Sequence, residues 1–308
     1  MMAQYPRHSL IRYYFFLAFV LLSAASYAQD SEESTKSAIR TSRFHMGLYF
    51  STLFPGSGTT SVYDGYGYDV NGNKNDFGNS FMYRNIVIFY GGSGSQPDRV
   101  AEALGVNHGD WSFDESDMPG NMKYNVGLAL GFQSRFSIDD NNSIMLNFTA
   151  SKLSLGGDFT ITILSNPQQP QPPGYLNVRT FGITGSEQRF VFQLGYQHMF
   201  GEEGGFNFFT EGGAVCTLAK FLTNPIAINS LKVDLASYYN QPQYDDFRLH
   251  HLKGVGFGGW AGCGLTSAAY AKTTLQLVYN LSLETIALGL NPKLSMQHYV
   301  GLRAYYNL

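Results

Sequence analysis

Gln297-His-Tyr-Val-Gly-Leu-Arg-Ala-Tyr-Tyr-Asn-Leu308 is the stretch that decides the fold. Its residues alternate. His298, Val300, Leu302, Ala304, Tyr306 and Leu308 share one face, and Gln297, Tyr299, Gly301, Arg303, Tyr305 and Asn307 share the other. A period of two is that of a β-strand. A largely apolar face backed by a small or polar one fits a strand running between lipid and a polar lumen.

The same alternation recurs upstream. Phe44, Met46, Leu48 and Phe50 oppose His45, Gly47, Tyr49 and Ser51 in a strand over 43–54. Tyr124, Val126, Leu128, Leu130 and Phe132 oppose Asn125, Gly127, Ala129, Gly131, Gln133 and Arg135 in the second. Ile144, Leu146 and Phe148 begin a third, which can run to Ile163. Phe190, Phe192, Leu194 and Tyr196 face out of a fourth against Arg189, Gln193 and Gln197, and a fifth over 206–220 carries Glu211 inward. Gly254 to Leu265 is uncharged, but its six glycines would cost a helix about 1 kcal/mol each relative to alanine, so it reads as a sixth strand with room on its inner face. Leu275, Leu277, Tyr279, Leu281 and Leu283 oppose Gln276, Asn280, Ser282 and Glu284 in the seventh. The connections alternate in length: 55–120, 164–187 and 221–252 are long, whereas 138–142, 201–205 and 266–272 are short. Long loops on one side and tight turns on the other are the asymmetry of a membrane-spanning barrel.

The predicted fold is therefore all-β: an antiparallel up-and-down transmembrane β-barrel of eight strands over 43–308, with long extracellular loops. Loop 55–120 is expected to be a structured insertion with its own hairpin and a short helix at Gln96–Leu104 headed by Asp98. It also contains the apolar piece Met82–Tyr90, and two strands of the insertion joining the barrel would raise the count to ten.

Arg7 and Arg12, an uncharged run from Tyr13 to Leu22 and small residues ending at Ala28 make residues 1–28 a predicted signal peptide, cleaved near Ala28. The run falls short of the ~20 apolar residues of a spanning helix, and no cysteine follows it for lipoprotein processing. Residues 29–42 read as a polar periplasmic leader. The chain carries 20 Lys and Arg against 23 Asp and Glu; losing Arg7 and Arg12 takes the net charge from −3 to −5, which argues against a nucleic-acid partner. Cys216 and Cys263 fall at different heights on their strands and are expected to stay free, since a bond needs Cα atoms within ~7 Å.

The final strand, apolar at every second position up to Leu308, resembles the closing strand of outer-membrane β-barrels. The whole pattern resembles the small eight-stranded barrels of the OmpA-membrane-domain and OmpX type. The resemblance is architectural and matches no catalytic motif. It implies the outer membrane of a Gram-negative bacterium, a lipid environment that includes lipopolysaccharide, and recognition by the assembly machinery through Leu302, Ala304, Tyr306 and Leu308. It also implies a structural or surface-recognition role through the loops, which leaves room for a protein partner there. An accessory role in a secretion or assembly complex is the alternative; a lipid-modifying enzyme or a narrow pore is a further one.

No catalytic, cofactor or metal site is expected. Gly254-x-Gly256-x-x-Gly259 matches the dinucleotide fingerprint in form but lies inside a strand rather than at a strand–turn–helix junction. His250 and His251 beside Asp245 and Asp246 read as a solvated loop rather than a metal site. The inward charges Arg135, Arg189, Glu211, Glu284 and Arg303 are expected to form a polar network that plugs the lumen, because eight strands enclose a space their own side chains fill. A gated polar path is the competing reading. Within that network Glu211 should meet an arginine, Arg303 first and Arg135 second, both acid and Arg303 lying low in the barrel. Phe206, Phe208 and Tyr306 read as interfacial anchors.

Overall fold

The computed structural model describes residues 43–69, 73–88, 96–165, 177–201, 206–240, 253–270, 273–289 and 294–307. The predicted signal peptide, the leader, the proline-rich piece 166–174, His250, His251, Asp245, Asp246 and Leu308 lie outside them. Eight strands close a ring: β1 (Phe44–Phe54), β2 (Gly127–Ser137), β3 (Asn142–Ile163), β4 (Asn177–Phe200), β5 (Phe206–Thr223), β6 (Lys253–Tyr270), β7 (Thr273–Ile286) and β8 (Leu294–Asn307). Each pairs antiparallel with its sequence neighbours, and β8 pairs with β1, from His45 opposite Asn307 to Phe54 opposite His298. Closure leaves no open edge around the ring itself, so the backbone groups there find partners in the wall.

Alternation sorts the side chains. Outward residues are apolar and bare: Leu48 is 74% exposed, Phe257 66% and Leu130 59%. An apolar surface of that extent on all sides matches lipid rather than water. Inward, Gln133, Asn147, Gln193, Gln276 and Gln297 are buried. The inner face of β6 is Gly254, Gly256, Gly258, Gly262 and Gly264, interrupted by Trp260. The small residues give space to rings: a Cβ on Gly264 would fall 2.5 Å from the Phe209 ring, and one on Gly195 2.6 Å from Trp260. Trp260 thereby packs with Met145, Val191 and Val215 across the lumen. The fingerprint-like glycines lie within this strand.

The strands at the long-loop end rise well above the wall. β3 reaches Ile163, as the alternation allows, and β4 already begins at Asn177, so the third connection is shorter than the expected 164–187. Along these extensions the inner face turns from polar (Asn147, Thr149, Ser151) to apolar (Leu153, Leu155, Phe159, Ile161, Ile163), which calls for an apolar cover. The insertion supplies it. Val62, Tyr63, Phe81, Met82, Ile86, Val100, Leu104 and Phe113 form one core with Leu155, Phe159, Ile161 and Ile163 and with Phe181, Ile183 and Phe221, while Leu153 packs separately with Leu53 and Tyr299. Tyr63 stacks on Phe221 at 4.6 Å, and Phe113 meets Phe159 edge-on.

Within this cap the expected helix is present as α1 (Gln96–Leu104), whose Val100, Ala101 and Leu104 face the core. The ten-strand alternative is overturned. The apolar piece from Met82 is helical, α-helix at Phe81–Tyr83 and π-helix at Arg84–Ile88, because Phe81, Met82 and Ile86 are buried from one short helical face. Among the described residues the expected hairpin shrinks to an antiparallel bridge between Tyr68 and Lys74. A real hairpin instead stands in the 221–252 connection, Pro225–Ile228 with Leu231–Asp234, turning at Asn229 (φ 52°) and extending the sheet beyond β4.

The two thiols are free. Cys216 stands opposite Phe257 and Cys263 opposite Thr210, so six positions, about 20 Å along the wall, separate them.

Candidate functional site

Two polar networks fill the lumen, and four of the five inward charges named from the sequence fall into them. In the lower one, toward the short turns, Arg303 and Glu211 meet in a two-pronged contact: Nη1 donates to Oε2 and Nη2 to Oε1, both at 2.7 Å, with both side chains fully buried. Gln197 Nε2 donates to the same Oε2 at 3.3 Å, and Gln197 Oε1 accepts from Arg135 Nη1 at 3.4 Å. Arg135 thus reaches Glu211 only through Gln197. Its guanidinium lies 4.8 Å from the Tyr305 ring centre, as Arg303 lies 4.9 Å from that of Tyr49. Stacked rings offset the loss of water around the cations.

The upper network centres on Arg189. Its Nε donates to Glu187 Oε1 at 2.5 Å, Nη1 to Gln297 Oε1 at 3.1 Å and Nη2 to Thr59 Oγ1 at 3.1 Å. Tyr124 Oη donates to Glu187 Oε2 at 2.5 Å, and Tyr63 Oη to the same oxygen at 3.3 Å. Gln297 Oε1 also accepts from Gly56 N–H at 3.0 Å. Thr59, Tyr63 and Gly56 belong to the insertion, so this network fastens the cap to the barrel. The Tyr63 phenol, buried beside the Glu187 carboxylate, is held well above its ordinary pKa and stays protonated as a donor. Glu284 sits apart, accepting from Thr217 Oγ1 at 2.5 Å and Ser282 Oγ at 3.4 Å.

The upper network holds members that were missed in the sequence, Glu187 and Tyr124 on strands and Gly56, Thr59 and Tyr63 in the insertion. Glu187 was legible: it lies two residues before Arg189, on the same inner face. Tyr124 was not, and its expected outward placement is wrong. Lys123 and Tyr124 pair with Gly156 and Leu155, whereas Leu128 pairs with Lys152. The four steps from Tyr124 to Leu128 thus oppose three on β3. One extra residue in 125–127 bulges the strand, and a slip of one position turns a side chain to the other face. Tyr124 therefore points at Glu187 instead of lipid.

Every carboxylate oxygen of Glu187, Glu211 and Glu284 accepts a hydrogen bond from a neighbour in these networks, so the carboxylates are structural partners of their donors. Among the described residues no three His, Cys, Asp or Glu side chains stand close enough to hold a metal. His45 Nε2 lies 3.3 Å from Ser137 Oγ at the short-turn rim, with Arg135 opposite His45 on β2. That contact ties two strand ends together. In the cap, burial raises the Asp64 pKa against the opposing pull of Lys74 Nζ at 2.5 Å.

Not every inner residue is engaged. Among the described residues neither amide atom of buried Gln276 has a protein partner, and the same holds for Gln133 and Asn280. Replacing an unpaired buried polar group by an apolar one of like shape is neutral or stabilising. Gln276→Met is expected to leave the urea midpoint of the refolded barrel unchanged or raised; a loss above about 1 kcal/mol would show a working hydrogen bond at that amide.

No family model matches this sequence, and no curated protein does. Solved structures that align with the chain include Neisserial surface protein A (7% identity, 88% of this chain and 100% of that one, TM-score 0.34). The attachment invasion locus protein Ail of Yersinia pestis aligns at 8% identity, over 85% and 97%, with a TM-score of 0.31. The outer-membrane protein OprG of Pseudomonas aeruginosa aligns at 9%, over 87% and 97%, with a TM-score of 0.37. None of these likenesses is close enough to carry an assignment. By its own register, lumen and outer wall, the chain is a small eight-stranded transmembrane β-barrel.

Proposed function

We propose that this protein sits in the outer membrane of a Gram-negative bacterium and acts as a surface-recognition barrel through its capped long-loop end. The observation that carries this reading is the cap. An insertion of some seventy residues is folded onto apolar strand extensions and bolted to Arg189, leaving its polar turns outermost. A barrel serving only as a membrane filler needs no such structure. The same cap, with the two lumen networks beneath it, argues against a pore. Planar bilayers holding the refolded protein should show no single-channel steps, and regular steps would return the pore reading to first place.

The test of recognition is a comparison of two forms in native outer membranes. The tagged protein is expected to retain a surface ligand or protein that a form with 57–122 replaced by a short Gly-Ser linker loses. Equal retention by both would move recognition away from the cap; capture of a defined secretion or assembly complex would favour an accessory role.

Assembly supplies a further expectation. Leu302, Ala304 and Tyr306 alternate on the outer face of β8 against Arg303 and Tyr305 within. Deleting Tyr306–Leu308 should leave the protein in the periplasm, where it is degraded. Normal outer-membrane levels with heat-modifiable gel mobility would remove this strand as the assembly signal.

A further inference from the structure

We infer that the outer wall carries a binding site for the phosphate groups of a glycolipid headgroup, centred on Lys220 and Lys253 and flanked by Lys152; this rests on the membrane reading above. The pairing register places these residues in one row. Lys152 on β3 stands opposite Gln188 on β4, Gln188 opposite Lys220 on β5, and Lys220 opposite Lys253 on β6. All three lysines are exposed on the outward register. With strands ~4.8 Å apart, the row spans about 15 Å.

Two features of the row need an anion. Directly opposed like charges on one face of a sheet repel, and Lys220 and Lys253 are such a pair. Among the described residues neither lysine has a carboxylate partner, and the outward acid on these extensions, Asp158, lies six positions beyond Lys152, about 20 Å away along the strand. The row also marks a boundary. Below it the wall is Leu130, Ala150, Phe190, Leu218 and Phe257; above it come Ser154, Ser186 and Thr223, with half-buried Leu222 at the bulge between them and Lys220, and Ser186 and Thr223 share a hydrogen bond at 2.7 Å. Lysine near the membrane midplane costs ~2–4 kcal/mol but little at the interface, so the row sits where the headgroups of the long-loop leaflet begin. Strands tilted by ~40° make it climb about 9 Å from Lys152 to Lys253; the long lysine stems can level that difference by reaching up.

The opposite rim differs. Phe136, Tyr196, Phe200, Phe206, Phe208 and Tyr306 face outward near the short turns, an aromatic girdle. From Phe208 to Lys220 is twelve residues, about 30 Å of height at that tilt, near the ~25 Å of an apolar barrel belt. One interface is thus aromatic and the other cationic, which fits a bilayer whose long-loop leaflet carries the anionic groups. Phosphate suits a cluster of ammonium groups.

The experiment uses the full mature chain refolded in a neutral detergent, with native mass spectrometry counting bound lipid. The probes are bisphosphorylated lipid A, the same lipid with its phosphates removed, and inorganic phosphate. Wild type is expected to hold lipid A and to lose it as salt rises, and not to hold the dephosphorylated form. Lys220→Gln/Lys253→Gln should weaken binding at least ~10-fold, the scale of losing a pair of charge-assisted contacts. Lys232→Gln, on the cap hairpin, should not. Without lipid A, Lys220→Gln should be as resistant to urea as wild type or more so, because it relieves the repulsion; added lipid A should reverse that order. Equal binding of both lipid forms, or undiminished binding by the double variant, overturns the site. Inorganic phosphate competing at the affinity of lipid A makes it an ion site and overturns the headgroup assignment. A chain that folds and inserts but binds no lipid A sinks this inference alone; a chain that does not insert sinks the membrane reading with it.

Discussion

Glu211→Gln is expected to lower the stability of the refolded barrel by about 3–5 kcal/mol, because it strands the fully buried Arg303 guanidinium without its carboxylate. The physical reason lies in the two states compared. The intact pair has both nitrogens of the fork matched to both oxygens, so the loss of water is repaid within the contact. In the variant the neutral amide accepts one hydrogen bond and turns a donor toward the second nitrogen. Arg135, a second cation held near by through Gln197, then adds repulsion that Glu211 had offset. Arg303→Gln should be similarly damaging, since it leaves a lone carboxylate, though Gln197 and Arg135 soften that loss. The double change Glu211→Gln/Arg303→Gln should recover part of the sum, because two neutral amides in a polar lumen carry no unpaired charge. Urea unfolding of the four forms gives the coupling, and strictly additive losses would show that the two groups do not act as a pair.

That pair was within reach of the sequence for a simple reason. Once the alternation fixes which residues face inward, and the short turns fix where each strand starts, height follows from counting. Glu211 lies five residues up β5 from Phe206, and Arg303 lies low on β8. The same counting separated the two cysteines and placed Gln276 and Glu284 inside. It failed where the backbone departs from the count. The bulge between Tyr124 and Leu128 has no marker in a stretch of ordinary strand-formers, so Tyr124 read as a lipid-facing residue. The insertion failed differently. Its Phe81, Met82 and Ile86 are spaced too closely to distinguish a short helix from a strand, and only the apolar inner faces of Leu155 to Ile163 above them decide what they cover. Those faces were in the sequence as well, but they carry the same alternation as the barrel wall. Telling a cap core from a lumen needs the knowledge that the strand has already left the membrane.

Arg189→Met is expected to have the second large effect, and a more local one. Arg189 joins barrel and cap at three points: Glu187 on its own strand, Gln297 on β8 and Thr59 in the insertion. Its removal leaves the Glu187 carboxylate buried with only the hydroxyl donors Tyr124 and Tyr63, and breaking such a pair costs about 3–5 kcal/mol. Because the wall below is held by continuous strand pairing, the loss should fall mainly on the cap. Brief trypsin treatment of the folded variant should therefore cut at Lys74, Arg84 or Arg99 faster than in the wild type, because local opening of the cap frees the backbone around them, while the barrel core stays intact and heat-modifiable. Glu187→Gln added to Arg189→Met removes the stranded charge, keeps an acceptor for Tyr124, and should restore much of the protection. A single variant whose cap resists trypsin like the wild type would show that the apolar core around Phe81, Phe113 and Phe159 holds the cap without the network. A double variant no better than the single would show that Glu187 is not the group left in trouble.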